Sequence, residues 1–185
     1  MNLPNKITLF RVFMIPLFLF IYLVRPFETD MINTWFALVL FSVAAITDAL
    51  DGYLARKLKL VTNFGKLMDP LADKLLVCSA LVAFVASGTL PVWAVIIMIS
   101  REFYISGLRQ LAVEQNIVLA ASNGAKFKTI AQIVLIIYVM LPFSFLIFTP
   151  VVWGLIIISI VASVLTAIDY TVKNISIFAD GSGKK

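Results

Sequence analysis

The chain has almost none of the residues that most often supply proton transfer and cross-links near neutral pH. It contains no histidine and a single cysteine, Cys78, among 185 residues. One cysteine excludes a disulfide within the chain, and the absence of histidine excludes the usual cysteine and histidine zinc sites. Any proton chemistry near neutral pH therefore falls to carboxylates, lysine or tyrosine.

Charge is also scarce, since 14% of the residues are charged and 62% are hydrophobic. This composition is typical of a membrane protein. Six apolar stretches approach the length of about 17–25 residues that crosses a bilayer: 7–24, 34–55, 67–87, 91–111, 129–148 and 151–171. We predict an all-α, polytopic membrane protein with six transmembrane helices in one bundle. Residues 1–178 are expected to form one six-helix domain, and residues 179–185 a polar C-terminal tail.

The positive charges indicate the orientation of this bundle. Most of them fall at the N-terminus, in the second and fourth connections and at the C-terminus: Lys6, Arg11, Arg56, Lys57, Lys59, Lys66, Arg109, Lys126, Lys128, Lys173, Lys184 and Lys185. Because cytoplasmic segments are enriched in lysine and arginine, both termini are predicted to be cytoplasmic. This bias accounts for most of the net charge of +5. The positive charge also attracts the chain to anionic lipid head groups. It does not indicate nucleic acid.

The most informative stretch is acidic and lies between two apolar ones. From Asp48 it reads D-A-L-D-G-Y-L-A-R, and after eight more residues G-K-L-M-D-P-L-A-D, ending at Asp73. Carboxylates in hydrocarbon cost about 2.5–3.5 kcal/mol each on insertion scales, so they normally serve a function. On helices, Asp48 and Asp51 share a face, and Asp73 lies one turn beyond Asp69. Two such helices can hold hard divalent cations and leave room for a phosphate. Pro70 favours a helix start here, with Asp69 as its N-cap.

This stretch resembles the signature of the CDP-alcohol phosphotransferases, D-x-x-D-G-x-x-A-R-x8-G-x3-D-x3-D. Every fixed position is filled, by Asp48, Asp51, Gly52, Ala55, Arg56, Gly65, Asp69 and Asp73. The resemblance implies an integral membrane enzyme. Such enzymes move a substituted phosphoryl group from a CDP-linked donor to an alcohol and release CMP.

Cations in the second half form a candidate site for a second anion. Arg101 lies near the middle of the fourth apolar stretch beside Glu102, Arg109 follows two turns later, and Lys126 and Lys128 begin the fifth stretch. Adjacent helical residues point about 100° apart, so Arg101 and Glu102 are not expected to form a self-contained ion pair. Either Arg101 makes an interhelical charge contact that orients the bundle, or it binds an anionic substrate group.

Three further strings resemble the branch of the same family whose acceptor is glycerol 3-phosphate. They are L-P-N-K-I-T-L-F-R at 3–11, S-R-E-F with S-G-L-R within 100–109, and G-A-K-F-K-T at 124–129. The resemblance implies transfer of the phosphatidyl group from CDP-diacylglycerol to glycerol 3-phosphate. It assigns the acceptor phosphate to Arg101, Arg109, Lys126 and Lys128. Inositol phosphate, serine and phosphatidylglycerol remain alternative acceptors.

The resemblance also implies roles for the acidic stretch. Two divalent cations, Mg²⁺ or Mn²⁺, would be held by Asp48, Asp51, Asp69 and Asp73, and these metals suit oxygen-only ligands. Asp73 would also be the catalytic base that accepts the proton of the acceptor 1-hydroxyl. Contacts to CDP-diacylglycerol are expected from Gly52, Ala55, Arg56, Thr62, Asn5 and Thr8. The family further implies a homodimer. The predicted orientation places the active site on the cytoplasmic side of the membrane, which we expect to be a bacterial cytoplasmic membrane.

A small divalent-cation transporter is the alternative from another class, because intramembrane aspartates also coordinate moving ions. Transporters often contain internal repeats, and the acidic cluster occurs only once in this chain. A transporter would also leave Gly52, Ala55, Arg56 and Gly65 unexplained. The sequence therefore favours the enzyme.

Overall fold

The chain forms α-helices, as the sequence predicts. The computed structural model describes residues 3–58, 63–115, 123–141 and 148–175, with side chains for 9–47, 71, 72, 74–115, 124, 126–141 and 149–175. These residues contain six helices and no β-strand. The helices are α1 (Leu3–Val24), α2 (Asp30–Leu58), α3 (Asn63–Ala86), α4 (Val92–Glu114), α5 (Asn123–Met140) and α6 (Phe148–Lys173). The all-α prediction and the number of helices are confirmed for the described chain.

Two predicted boundaries are wrong, and proline is involved in both. The fifth helix ends at Met140 and not at residue 148, because Leu141 precedes Pro142 and a residue before proline disfavours the helical conformation. The third helix begins at Asn63, about two turns before Pro70. Asp69 therefore lies inside α3 and is not its N-cap.

Two helical segments among the described residues are long and apolar enough to cross a membrane, Asp30–Thr47 and Thr149–Lys173. Leu9–Val24 and Lys74–Ala86 are apolar but shorter. Helix α4 carries Arg101, Glu102 and Arg109 along its length. It therefore depends on neighbouring helices to cover these charges.

The chain divides into two compact units. The first comprises Met1–Leu90 and Ile136–Phe145, and in it α1 packs against α2 and α3. Its core is aromatic: the Phe18 ring lies 5.9 Å from the Phe41 ring, and the Tyr22 ring lies 5.3 Å from the Phe84 ring in an edge-on arrangement. Phe18, Phe41 and Phe84 are completely buried. Helix α1 is thus the centre of this three-helix packing.

The second unit comprises Pro91–Leu135 and Leu146–Lys185, and in it α4 packs against α6. Both helices bury residues at alternating spacings of three and four, Ala94, Met98, Arg101, Ile105, Leu108 and Ala112 on α4, and Val152, Ile156, Ser159, Ser163, Thr166 and Tyr170 on α6. This spacing is typical of helices packed at a small crossing angle. Three contacts occur in the same order along both helices: Trp93–Trp153, Arg101–Thr166 and Arg109–Tyr170. The two helices are therefore parallel, and we call this contact the α4–α6 seam.

Candidate functional site

The acidic signature lies where α2 ends and α3 begins. Asp48 and Asp51 are in the last three turns of α2 together with Gly52, Ala55 and Arg56, and Asp69 and Asp73 are in the second and third turns of α3. Asn5 and Thr8 lie in the first two turns of α1. Thr62 lies outside the described residues, and the other residues named here lie outside the described side chains. For these residues the structure gives the helix and the register.

The register places the four aspartates at two matching levels. Because α2 and α3 pack together and only residues 59–62 connect them, the two helices run antiparallel. At about 1.5 Å per residue, Asp51 lies about 10 Å from the end of α2 and Asp69 about 9 Å from the start of α3. Asp48 and Asp73 each lie about 15 Å along their helices. Each level thus receives one aspartate from each helix.

The donor set at these levels suits a hard divalent cation. Four carboxylates on two adjacent helices offer oxygen ligands alone, the chemistry preferred by Mg²⁺ and Mn²⁺ and not by zinc. Among the side chains that the structure describes, no three acidic or cysteine side chains come together to form a competing metal site. The predicted metal ligands therefore fit the group that the signature implies.

A buried cluster of charge joins α4, α5 and α6, and we call it the cationic cluster: Arg101, Glu102, Lys128 and Thr166. Glu102 Oε1 lies 3.5 Å from Arg101 Nη1 and also forms an ion pair with the Lys128 ammonium. Arg101 donates from Nε and Nη2 to Thr166 Oγ1, at 3.2 and 3.0 Å. The Arg101 and Lys128 side chains are only 8% and 3% exposed. The Glu102 carboxylate thus contacts two buried cations, and one of them also binds the Thr166 hydroxyl.

The cluster agrees with the expectation for Arg101 and Glu102 and brings two of the predicted cations together. Arg101 and Glu102 do approach each other, although they are adjacent on the helix, because both long side chains turn toward the same point. Their pairing is not self-contained, since the Glu102 carboxylate also binds Lys128 of α5. The interhelical contact and the convergence of cations therefore occur at the same place.

Arg109 lies near the cluster on the same helix, and Lys126 does not join it. Arg109 Nη2 lies 3.4 Å from the Tyr170 hydroxyl, and its guanidinium carbon lies 5.8 Å from the centre of the Tyr170 ring. Lys126 is exposed whereas Lys128 is buried, because residues two apart on a helix do not face the same way. The structure thus brings Arg101 and Lys128 together, keeps Arg109 two turns away, and leaves Lys126 outside.

Three polar residues of this region were not predicted. Thr166 and Tyr170 lie on α6 and contact the two arginines, and Gln132 is buried on α5 one turn from Lys128. A sequence signal for α6 exists in retrospect, since Ser159, Ser163, Thr166 and Tyr170 repeat at spacings of four, three and four. A polar stripe on an otherwise apolar helix marks the face that meets a charged partner.

Comparison with known proteins gives matches over most of the chain. A family model described as CDP-alcohol phosphatidyltransferase matches residues 1–168. The CDP-diacylglycerol–glycerol-3-phosphate 3-phosphatidyltransferase of Bacillus subtilis is 48% identical over 142 residues, covering 72% of this chain and 73% of that protein. A probable phosphatidylglycerophosphate synthase of Mycobacterium tuberculosis is 37% identical over 177 residues, 93% of this chain and 81% of that protein. A Mycoplasma pneumoniae protein with the same name as the Bacillus one is 36% identical and covers 78% of this chain and 70% of its own length.

The shared carboxylate of the cationic cluster generates a prediction about stability. Glu102→Gln should destabilise the protein by about 3–5 kcal/mol, since removal of one partner from a buried ion pair leaves uncompensated charge. The double variant Glu102→Gln with Lys128→Met should recover part of this loss, because it removes one of the two cations as well. Thermal unfolding of the purified protein, followed for the two single variants and the double variant, measures the coupling. Strictly additive shifts would contradict the shared ion pair.

Proposed function

The chain belongs to the CDP-alcohol phosphatidyltransferase family and is an enzyme, and from this we propose that it makes phosphatidylglycerol phosphate. In the proposed reaction the phosphatidyl group of CDP-diacylglycerol passes to glycerol 3-phosphate, and CMP is released. The observation that carries the proposal is the 48% identity to a protein named for this activity. The reaction belongs to phospholipid biosynthesis.

The cationic cluster supports a phosphorylated acceptor. Arg101 and Lys128 are buried around one carboxylate, and Arg109, two turns along α4, contacts the uncharged Tyr170. Among the described members of this region, three cations thus accompany one anion. Phosphate oxygens bind such groups through charge-assisted hydrogen bonds, and a guanidinium offers them a planar set of donors. Serine and phosphatidylglycerol lack the phosphomonoester that would bind these cations in this way.

The acidic signature supplies the donor side of the proposed reaction. Asp48, Asp51, Asp69 and Asp73 would hold two divalent cations, Mg²⁺ or Mn²⁺. When bound, such ions neutralise the donor diphosphate and stabilise the charge that develops as the phosphoanhydride breaks. Gly52, Ala55 and Arg56 would bind the CDP portion, with Asn5, Thr8 and Thr62 nearby in the nucleotide site.

The proposed chemistry uses one aspartate as a base. Asp73 accepts the proton of the glycerol 3-phosphate 1-hydroxyl. The oxygen of this hydroxyl attacks the β-phosphorus of the donor, and the bond between that phosphorus and the bridging oxygen breaks. The bridging oxygen leaves with CMP. In a chain without histidine, a carboxylate is a reasonable group for this role.

A membrane location fits this substrate, because the two acyl chains of the donor stay in lipid while its head group reaches the enzyme. We propose six membrane-spanning helices with both termini in the cytoplasm, one catalytic domain over residues 1–178, and a polar tail over 179–185. The parallel contact of α4 with α6 supports this topology, since alternate crossings of a membrane run in the same direction. The proposal includes a bacterial cytoplasmic membrane, an active site on its cytoplasmic side, and a homodimer.

An acceptor panel tests the function directly. Purified protein supplied with CDP-diacylglycerol and Mg²⁺ should release CMP with glycerol 3-phosphate and not with serine, inositol phosphate or phosphatidylglycerol. The lipid product identifies the acceptor independently of CMP. Faster transfer to another acceptor would contradict the proposed acceptor, and divalent-cation flux into liposomes without CMP release would indicate the transporter.

Removal of a metal ligand should abolish turnover. Asp48→Asn or Asp69→Asn should lower the rate to background, and chelation of divalent cations should do the same to the wild type until Mg²⁺ or Mn²⁺ is restored. Asp30→Asn is the matched control, because Asp30 lies at the exposed start of α2 and pairs with Arg25. Activity within about tenfold of wild type for either variant at saturating Mg²⁺ would contradict the metal role.

The apparent KM for glycerol 3-phosphate tests the role of Arg101. A charge-assisted hydrogen bond contributes about 1.5–3 kcal/mol, so Arg101→Gln should raise the apparent constant for glycerol 3-phosphate roughly 10- to 150-fold. The constant for CDP-diacylglycerol should change little. Arg25→Gln, at an exposed arginine, serves as the control. If Arg101 is only structural, the melting temperature should fall and both constants should shift together.

A further inference from the structure

One buried polar group next to the cationic cluster has no protein partner. Gln132 is 1% exposed, and its amide nitrogen Nε2 is buried without a hydrogen-bond partner. It lies on α5 four residues after Lys128, which is buried and pairs with Glu102. Residues four apart are neighbours on one face of a helix. Since helical side chains lean toward the helix N-terminus, the Gln132 amide leans toward the level of Lys128.

The seam next to Arg101 contains two similar groups. Ser163 and Ser159 are completely buried, and their hydroxyl oxygens have no hydrogen-bond partner. They precede Thr166, which binds Arg101, by one and two turns of α6. Buried polar side chains without partners are uncommon in folded proteins, and each calls for an explanation. Gln132 lies one turn from Lys128, which binds the acceptor phosphate in the proposed function, so a polar group of the acceptor is an explanation for its unpaired amide.

The chemistry of the ligand follows from the order of these groups. A phosphate on Lys128 and Arg101 would place the atoms next to its ester oxygen one helical turn away, beside Gln132. In glycerol 3-phosphate the carbon-2 hydroxyl oxygen is separated from the phosphorus by the ester oxygen and two carbons. A primary amide donates to such a hydroxyl oxygen without adding charge.

We propose that Gln132 donates a hydrogen bond from Nε2 to the carbon-2 hydroxyl of glycerol 3-phosphate and thereby selects acceptors that carry a hydroxyl there. This inference rests on the proposed function and adds a specificity-determining residue to it. An acceptor without this hydroxyl leaves the Gln132 donor buried and unpaired, which is the situation in which binding sites discriminate most strongly between substrates.

The test compares two acceptors that differ only in this hydroxyl. With CDP-diacylglycerol as donor, kcat/KM is measured for glycerol 3-phosphate and for 3-hydroxypropyl phosphate, which lacks the carbon-2 hydroxyl. Wild type should prefer glycerol 3-phosphate by about 10- to 100-fold. Gln132→Met, of similar size but without donors, should reduce this preference to within about threefold, by lowering kcat/KM for glycerol 3-phosphate alone.

Gln110→Met is the matched control, because it makes the same chemical change at an exposed position of α4. It should keep the wild-type preference. Equal loss on both acceptors in Gln132→Met would overturn the inference and assign Gln132 to packing. A wild-type enzyme that uses both acceptors equally would also overturn it, whether or not the variant folds. Transfer to glycerol 3-phosphate with unchanged selectivity overturns this inference alone, whereas no transfer to glycerol 3-phosphate overturns the proposed function as well.

Discussion

The second unit depends on one carboxylate, that of Glu102, which binds a guanidinium on its own helix and an ammonium on α5. Arg101 and Lys128 are both buried, and an isolated buried cation is among the most costly groups in a folded protein. Glu102 offsets part of the cost of both. Its position therefore fixes how α4 and α5 meet. The pair of cations that results is also close enough to share a phosphate, so the packing and the proposed binding site have the same cause.

The α4–α6 seam shows how an apolar chain accommodates these charges. Both helices bury residues at the same spacings of three and four, but the middle of the seam is polar. There Arg101 on α4 binds Thr166 on α6. The Thr166 hydroxyl donates in turn to the Ala162 carbonyl oxygen at 2.7 Å. Arg101 thus reaches the backbone of α6 through one hydroxyl. Met98 and Ile105, the neighbours of Arg101 on this face of α4, are buried apolar residues, and burial raises the strength of a polar contact.

The sequence predicted the helices well because apolar length is a local property. Two helix ends were predicted wrongly, since α5 ends before Pro142 and α3 begins well before Pro70. The aspartates were predicted as metal ligands from their spacing and from the family signature, because a metal site needs several carboxylates close together, and this role stays a prediction. The cationic cluster was found only in part. Lys126 and Lys128 look equivalent in the sequence, and only packing distinguishes the exposed one from the buried one. Thr166, Tyr170 and Gln132 are ordinary residues whose importance depends on what they contact.

The proposed donor residues and most of the proposed acceptor motifs fall in different units. The fixed positions of the family signature lie on α2 and α3 of the first unit, where the proposed donor and metal groups are. Two of the three strings that resemble the glycerol 3-phosphate branch lie on α4 and α5 of the second unit. A CDP-linked donor presents the same diphosphate to every member, so its binding residues need not change. Acceptors differ in charge and in hydroxyl groups, so their recognition requires side chains that can be exchanged without disturbing the aspartates. The proposed acceptor residues lie on separate helices, which meets that requirement.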